Sequence, residues 1–131
     1  MSMSANPAGA KTILYVEDNE MNRKIVRDLL KRTTYTLVEA HDGEAGVAKA
    51  LEARPDLILM DIQLPKISGM EATRRLRAEP STASTPIIAI TSFALSGDDQ
   101  KAKAAGATAY LAKPYSPFDL LSLIRKLLPE T

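Results

Sequence analysis

The chain has 131 residues, of which 45% are apolar and 25% charged, with a net charge of +1 and no cysteine. That length suits one domain around one core and is short for two. The charge gives no strong field toward nucleic acid or anionic lipid, the missing cysteine excludes disulfides, thiol chemistry and zinc-thiolate sites, and no apolar run approaches a membrane span.

Residues Met1 to Ala10 have neither a basic start nor an apolar core. They read as a flexible tail before a single domain over 11–131, and the cytoplasm is the expected compartment. Thr12-Ile13-Leu14-Tyr15-Val16 is the first strand, followed directly by Glu17-Asp18-Asn19. Asp18 or Asn19 is expected to cap the next helix, with Glu20 in its first turn. That helix carries Met21, Ile25, Leu29 and Leu30 as its apolar face, with Arg23, Lys24, Arg27 and Lys31 largely on the rest.

Tyr35-Thr36-Leu37-Val38-Glu39-Ala40 is mixed in polarity and reads as an edge strand. Asp42-Gly43 makes a turn into a helix that runs to about Arg54, with Val47, Ala48 and Leu51 inward, and Pro55 closes it. Leu57-Ile58-Leu59-Met60 is apolar throughout, the pattern of a strand buried on both faces of a parallel sheet. It ends in Asp61, and Leu64-Pro65 turns the chain into a loop.

Ser68-Gly69-Met70-Glu71 has capping-box form and opens a helix to about Ala78, with Arg74, Arg75 and Arg77 on a solvated face. Glu79 to Pro86 is polar and flanked by proline, the best candidate for a mobile insertion. Ile87-Ile88-Ala89-Ile90 is a second fully apolar strand and ends in Thr91-Ser92. Ser96-Gly97-Asp98-Asp99 opens an alanine-rich helix whose thin apolar face predicts weak packing, and Gly106 ends it. Thr108-Ala109-Tyr110-Leu111-Ala112 is the fifth strand, followed by Lys113-Pro114. Ser116-Pro117-Phe118-Asp119 starts a last helix that buries Leu120, Ile124, Leu127 and Leu128.

Strand and helix alternate five times. This predicts an α/β fold: a doubly wound, five-stranded parallel sheet of order 2-1-3-4-5, flavodoxin-like. All strands then end at one rim, where ligands bind in open parallel sheets. The strand ends deliver Glu17, Asp18, Asp61, Thr91 and Lys113. Three converging carboxylates need a counter-charge. Oxygen ligands alone, with His41 outside the group, favour a hard cation, and Mg²⁺ fits a site with few carboxylates that keeps its waters. A metal, a lysine and a hydroxyl around one carboxylate suit phosphoryl chemistry ending in an aspartyl phosphate on Asp61.

Val16-Glu17-Asp18-Asn19, Leu59-Met60-Asp61-Ile62-Gln63-Leu64-Pro65, Ser68-Gly69, Ile90-Thr91-Ser92 and Tyr110-Leu111-Ala112-Lys113-Pro114 resemble the motifs of two-component response-regulator receiver domains, above all the single-domain regulators and the receivers of hybrid kinases. The resemblance covers about residues 11 to 128. It implies that Asp61 is the phosphoacceptor, supplied by a sensor histidine kinase or a histidine phosphotransfer protein. Asp18, Asp61 and the backbone carbonyl of Gln63 would hold Mg²⁺, with Glu17 acting through metal-bound water. Thr91, Ser92 and Lys113 would meet the phosphoryl group, Thr91 and Tyr110 would form the switch, and the Lys113–Pro114 bond would be cis. Gln63 and Phe93 would tune dephosphorylation. The first helix near Asn22 and Leu29 would dock the kinase. Signal would leave to a downstream protein through the face of the fourth helix, fifth strand and fifth helix, which is also where a homodimer would form.

Departures from the family pattern are small: Glu17 replaces the commoner Asp, and Thr34 stands where a helix-ending Gly is usual. Other readings fit less well. An aspartyl-phosphate phosphatase wants a second acid two residues after the nucleophile, where this chain has Gln63. An FMN carrier wants a phosphate loop after the first strand, where Glu17 and Asp18 would repel the ligand. A never-phosphorylated interaction module has no use for Asp61, Thr91 and Lys113 together. No DNA-binding element is legible.

Overall fold

Thr12–Val16 forms β1, and every residue of it is buried because the strand lies inside the sheet with helices above and below. The computed structural model describes residues 10–92 and 97–130. After β1 come α1 (Glu20–Leu30), β2 (Thr36–Ala40), α2 (Gly43–Ala53), β3 (Leu57–Asp61), α3 (Gly69–Arg77), β4 (Ile87–Thr91), α4 (Asp98–Ala105), β5 (Ala109–Ala112) and α5 (Pro117–Leu127). The sheet order is β2-β1-β3-β4-β5 and every neighbouring pair is parallel. The expected order is therefore the observed one. β1, β3 and β4 are buried throughout, while β2 and β5 are half-buried edges.

Side chains alternate across the sheet, so each central strand feeds two cores. Ile13, Tyr15, Leu57, Leu59, Ile88 and Ile90 pack with Val26 and Leu30 of α1 and with Leu120 and Ile124 of α5. Leu14, Val16, Ile58, Met60 and Ile87 pack with Ala50 of α2 and with Ala72 and Leu76 of α3. Each fully buried Leu or Ile contributes about 1.5–3 kcal/mol, so the three central strands carry most of the hydrophobic drive. α4 is held thinly, as its composition predicts: Ala102 packs only with Ile62 and Ala89 among buried apolar neighbours.

Four helices begin with a side-chain cap just past a strand. Asn19, Asp42, Ser68 and Ser116 accept backbone N–H bonds from Asn22, Ala45, Glu71 and Asp119 at 2.9, 2.7, 3.1 and 3.0 Å. Asn19, not Asp18, caps α1, which leaves Asp18 exposed at the rim.

Several local expectations are corrected. In α1 the inward residues are Val26 and Leu30; Met21 is 65% and Ile25 49% exposed. In α2, Gly46 and Ala50 face the sheet and Ala48 is exposed. A Cβ on Gly46 would come within 2.8 Å of the Val16 methyls, so the helix approaches β1 closely and small residues take the contact. Asp42-Gly43 is the start of α2, not a turn before it.

The Ser68 box is half formed: the Glu71 carboxylate turns to Arg74 and Arg75 instead of back to the cap. Arg77 is not a solvated residue. Its guanidinium donates to the carbonyls of Gly106 and Thr82 and to the Thr108 hydroxyl, tying α3 to the segments that flank β4 and β5. Those bonds also correct the 79–86 loop: Thr82 is fully buried and donates to the Leu76 carbonyl, so the loop is a run of anchored turns. α1 ends in tightened turns, Arg32 to Leu29 and Thr33 to Leu30, in keeping with the missing glycine at position 34. The tail of residues 1–9, Phe93 and Ser96 lie outside the described residues.

Candidate functional site

The rim at the strand ends gathers the expected groups. Glu17 and Asp61 emerge from β1 and β3 and remain 1% and 2% exposed. Lys113, one residue past β5, donates to both: its Nζ lies 2.9 Å from Asp61 Oδ2 and 3.0 Å from Glu17 Oε1. Carboxylate oxygens of Glu17, Asp18 and Asp61 all lie within 4.8 Å of one another. That is a spacing at which one divalent cation reaches all three.

The local sequence explains the convergence. β1, β3 and β5 are parallel, so Asp61 at the end of β3 and Glu17 and Lys113 one residue past β1 and β5 stay at one rim. Gly69 fixes the exit of β3: its N–H bonds the Ile62 carbonyl at 2.9 Å, and a Cβ there would fall 2.0 Å from the Asp61 carbonyl oxygen. The Lys113–Pro114 peptide is cis, as the resemblance implies.

Electrostatics separates the two buried acids. Burial, with Glu17 beside it, pushes the Asp61 carboxyl up to about 7, against the pull of Lys113. Burial also works to raise Glu17, but hydrogen bonding with Asp61, the Asn19 N–H and Lys113 outweighs it and holds that carboxyl below its usual range. Burial works to lower the Lys113 ammonium; contact with Asp61 and Glu17 overcomes this and raises it. The site thus holds two buried acids, the exposed Asp18 and one cation, and a second positive charge would relieve Asp61.

Thr91 is buried at the end of β4 and Ser92 is exposed beside it. Gln63 joins them to Asp61. Its backbone N–H donates to Asp61 Oδ1 at 3.0 Å, its side-chain Nε2 donates to Thr91 Oγ1 at 3.1 Å, and its Oε1 accepts the Ser92 N–H at 3.3 Å. Tyr110 lies farther along β5, packed against the Ile62, Ala89 and Ala102 cluster with its hydroxyl buried.

Three residues at the site were not singled out from sequence. Tyr15 donates its hydroxyl to Glu17 Oε1 at 3.2 Å from the sheet side. Its place two residues before Glu17 on one strand was the available signal. Tyr115, two residues past Lys113, stands beside Tyr15, and burial raises both phenols. Arg23 donates to the Glu17 carbonyl at 2.7 Å and pairs with Glu20 and Glu39, which pins the acidic loop to β2.

A groove of about 560 Å³ opens next to the rim, lined by Asn22, Ile25, Ser92, Lys113, Pro114, Tyr115 and Pro117. The exposed Met21, Ile25 and Phe118 are the large apolar side chains left uncovered among the described residues. No helix among the described residues is long and apolar enough to cross a membrane.

Comparison with known proteins agrees with this geometry. Residues 13–125 match the response regulator receiver domain family. The polar-differentiation response regulator DivK of Brucella anthropi is 41% identical over 120 residues, covering 92% of this chain and 98% of that protein. DivK of Brucella ovis is 40% identical over the same span. Among solved structures, the receiver domain of a sensor histidine kinase from Pseudomonas aeruginosa PAO1, described with a magnesium ion coordinated in its active-site cleft, is 37% identical with a TM-score of 0.84, covering 90% of this chain and 97% of that one. The chemotaxis response regulator CheY4 of Vibrio cholerae is 33% identical with a TM-score of 0.85, covering 91% of this chain and 99% of that one.

Proposed function

The chain belongs to the response regulator receiver domain family of two-component signalling, and from that premise we propose that Asp61 accepts a phosphoryl group from a phosphohistidine on a sensor kinase or phosphotransfer protein. The observation that carries this reading is the Lys113 ammonium shared between Asp61 and Glu17, with Asp18 in reach of the same point. An Asp61 carboxylate oxygen attacks phosphorus, the P–N bond of the donor breaks, and its electron pair returns to the imidazole nitrogen. Lys113 leaves the acid pair to meet a phosphoryl oxygen, and the Thr91 hydroxyl and Ser92 N–H supply donors.

The donor set fits Mg²⁺: three carboxylates, no sulfur, and an Asp61 carboxyl that burial and the neighbouring Glu17 make late to ionise. Asp18, Asp61 and the Gln63 carbonyl would hold it, with Glu17 acting through its water. When bound, the ion supplies charge to the attacking carboxylate and the transferred group. Gln63, a side chain without acid function, sits where a phosphatase would carry its general acid, so turnover is slow self-catalysed hydrolysis and not phosphatase chemistry. Phe93 would share with Gln63 the tuning of that hydrolysis.

Output would run by phosphorylation-dependent binding of a downstream protein. Thr91 moves toward the phosphoryl group, Tyr110 repacks behind it, and the α4–β5–α5 face changes. The thin packing of α4 suits such a change. The donor docks over α1 and the adjoining groove, and the cytoplasm is the compartment this role requires.

The test is beryllofluoride or acetyl phosphate with Mg²⁺, read by backbone amide NMR. Shifts that spread from the rim to β5 in the wild type and vanish in Asp61→Asn support the proposal. Shifts that are absent, or unchanged in Asp61→Asn, overturn it.

A further inference from the structure

The mechanism above leaves unused a buried polar group that touches the site: the Tyr15 hydroxyl. We propose that Tyr15 is a positioning residue for Glu17, holding its carboxylate toward the cation site both at rest and once Lys113 has been drawn away. The inference rests on the receiver reading, because it concerns what happens to Glu17 when a phosphoryl group claims Lys113.

Glu17 is 1% exposed, so its carboxylate depends on protein donors. Oε2 accepts the Asn19 N–H at 3.1 Å. Oε1 accepts two donors, Lys113 Nζ at 3.0 Å and the Tyr15 hydroxyl at 3.2 Å. When Lys113 turns to the phosphoryl oxygens, Oε1 retains Tyr15 alone. A glutamate has one more rotatable bond than the aspartate usual at this position, so it has more freedom to lose.

Tyr15 is built to resist that. Its ring is fully buried in the core on the α1 and α5 face, in the cluster with Val26, Leu59, Ile88 and Leu120. Glu17 directly follows β1, two residues after Tyr15, and its N–H still bonds the Ala40 carbonyl of β2, so both side chains leave the chain on one face. Tyr115 stands beside the Tyr15 hydroxyl and packs against the same core. It also lines the groove next to the rim. A Phe at position 15 would fill the same space without the donor, so what the hydroxyl adds is its contact with Tyr115 and the bond to Glu17.

Mg²⁺ titration of the full chain tests this, followed by the Asn19 amide shift in NMR, with no phosphoryl donor present. The arms are wild type, Tyr15→Phe, Glu17→Gln and the double variant, each with its melting temperature. A hydrogen bond to a charged group sets the expected scale: Tyr15→Phe weakens Mg²⁺ roughly tenfold. The same change adds nothing in the Glu17→Gln background. A purely structural tyrosine would lower the melting temperature and leave the Mg²⁺ affinity alone, and that result overturns the inference. Equal losses in both backgrounds overturn it too, since Tyr15 would then act through something other than Glu17. Should Tyr15→Phe fail to fold, the Tyr15 hydroxyl proton of the wild-type chain is followed by NMR in place of the variant. A Mg²⁺-dependent shift that is lost in Glu17→Gln supports the inference, and a hydroxyl proton indifferent to both overturns it. Wild type that takes up no Mg²⁺ overturns the receiver reading itself, a result distinct from the others.

Discussion

The Gln63 side chain spans the gap between Thr91 and Ser92: its Nε2 donates to the Thr91 hydroxyl at 3.1 Å while its Oε1 accepts the Ser92 N–H at 3.3 Å. Those are the groups proposed to receive the phosphoryl oxygens. The amide therefore occupies their hydrogen-bonding capacity before any phosphoryl group arrives, and must be displaced when one does. Removing it should ease the forward step. Gln63→Ala is expected to lower the beryllofluoride concentration needed for half saturation by about two- to tenfold, the worth of one or two neutral hydrogen bonds. Fluorine NMR measures this directly; unchanged saturation would mean the contact is incidental.

Lys113 is the sole cation contacting Asp61 among the described ion pairs, and its side chain is only 21% exposed. Replacing it by Met leaves Glu17 and Asp61 facing each other. The Asp61 carboxyl should then ionise still later than it does now. Mg²⁺ should bind more tightly, because no ammonium competes for the carboxylates, while phosphoryl acceptance from acetyl phosphate should fall by an order of magnitude or more. Paired Mg²⁺ titration and phosphorylation rates separate these opposite effects. A variant weaker in both would show that Lys113 mainly organises the acids.

The pH dependence of the metal-free protein carries the sign of a raised carboxyl. Burial, with Glu17 nearby, lifts Asp61 to about 7, against Lys113. The folded state then holds a proton that the unfolded chain has already released. Between roughly pH 4 and 7 this makes folded wild type lose stability relative to Asp61→Asn as pH rises. Denaturant melts of both proteins across that window give the difference; saturating Mg²⁺ should shrink it by favouring the ionised form. A flat difference would place Asp61 in the ordinary carboxylate range. The carboxyls of Glu39 and Glu130, held low by Arg27 and by the Thr34 N–H respectively, act in the opposite direction and at lower pH.

Gly69→Ala tests how β3 presents Asp61. The added methyl would fall 2.0 Å from the Asp61 carbonyl oxygen, a backbone atom that cannot swing aside. The chain must shift, at a cost of about 1–3 kcal/mol or more. A melting temperature lowered together with Mg²⁺ affinity fits the geometry. Full stability would show that the loop relaxes without disturbing the site.

How much of this was legible beforehand differs by scale. The apolar runs at 57–60 and 87–90 read as strands covered on both faces, and with strand one and the mixed edge strands they fit the order 2-1-3-4-5, one of the two common doubly wound orders. The rim residues followed in turn, because parallel strands end on one side. Helix faces were less legible. In α1, Met21 and Ile25 have helical spacing yet stay exposed, Ile25 lining the groove, and Val26 turns in. In α2, Gly46 faces the sheet, since a close approach to Val16 selects the absence of a side chain, which hydrophobic pattern does not register. Arg77 and Arg23 looked like solvated charges. Arg77 is held by the Thr82 and Gly106 carbonyls and Arg23 by the Glu17 carbonyl and the Glu39 carboxylate, and the hydrophobic pattern of a helix face encodes none of these partners. Tyr15 was readable as core but not as a donor, because its acceptor was counted only as a metal-site acid.

Phosphoryl attachment at Asp61 decides the rest. Intact-protein and peptide mass spectrometry after incubation with a phosphorylated histidine phosphotransfer domain and Mg²⁺ tests it most directly. The expected result is one added phosphoryl group on the peptide containing Asp61, labile to hydroxylamine, and none in Asp61→Asn. An unmodified wild-type chain, or a phosphoryl group on any other residue, would contradict the account.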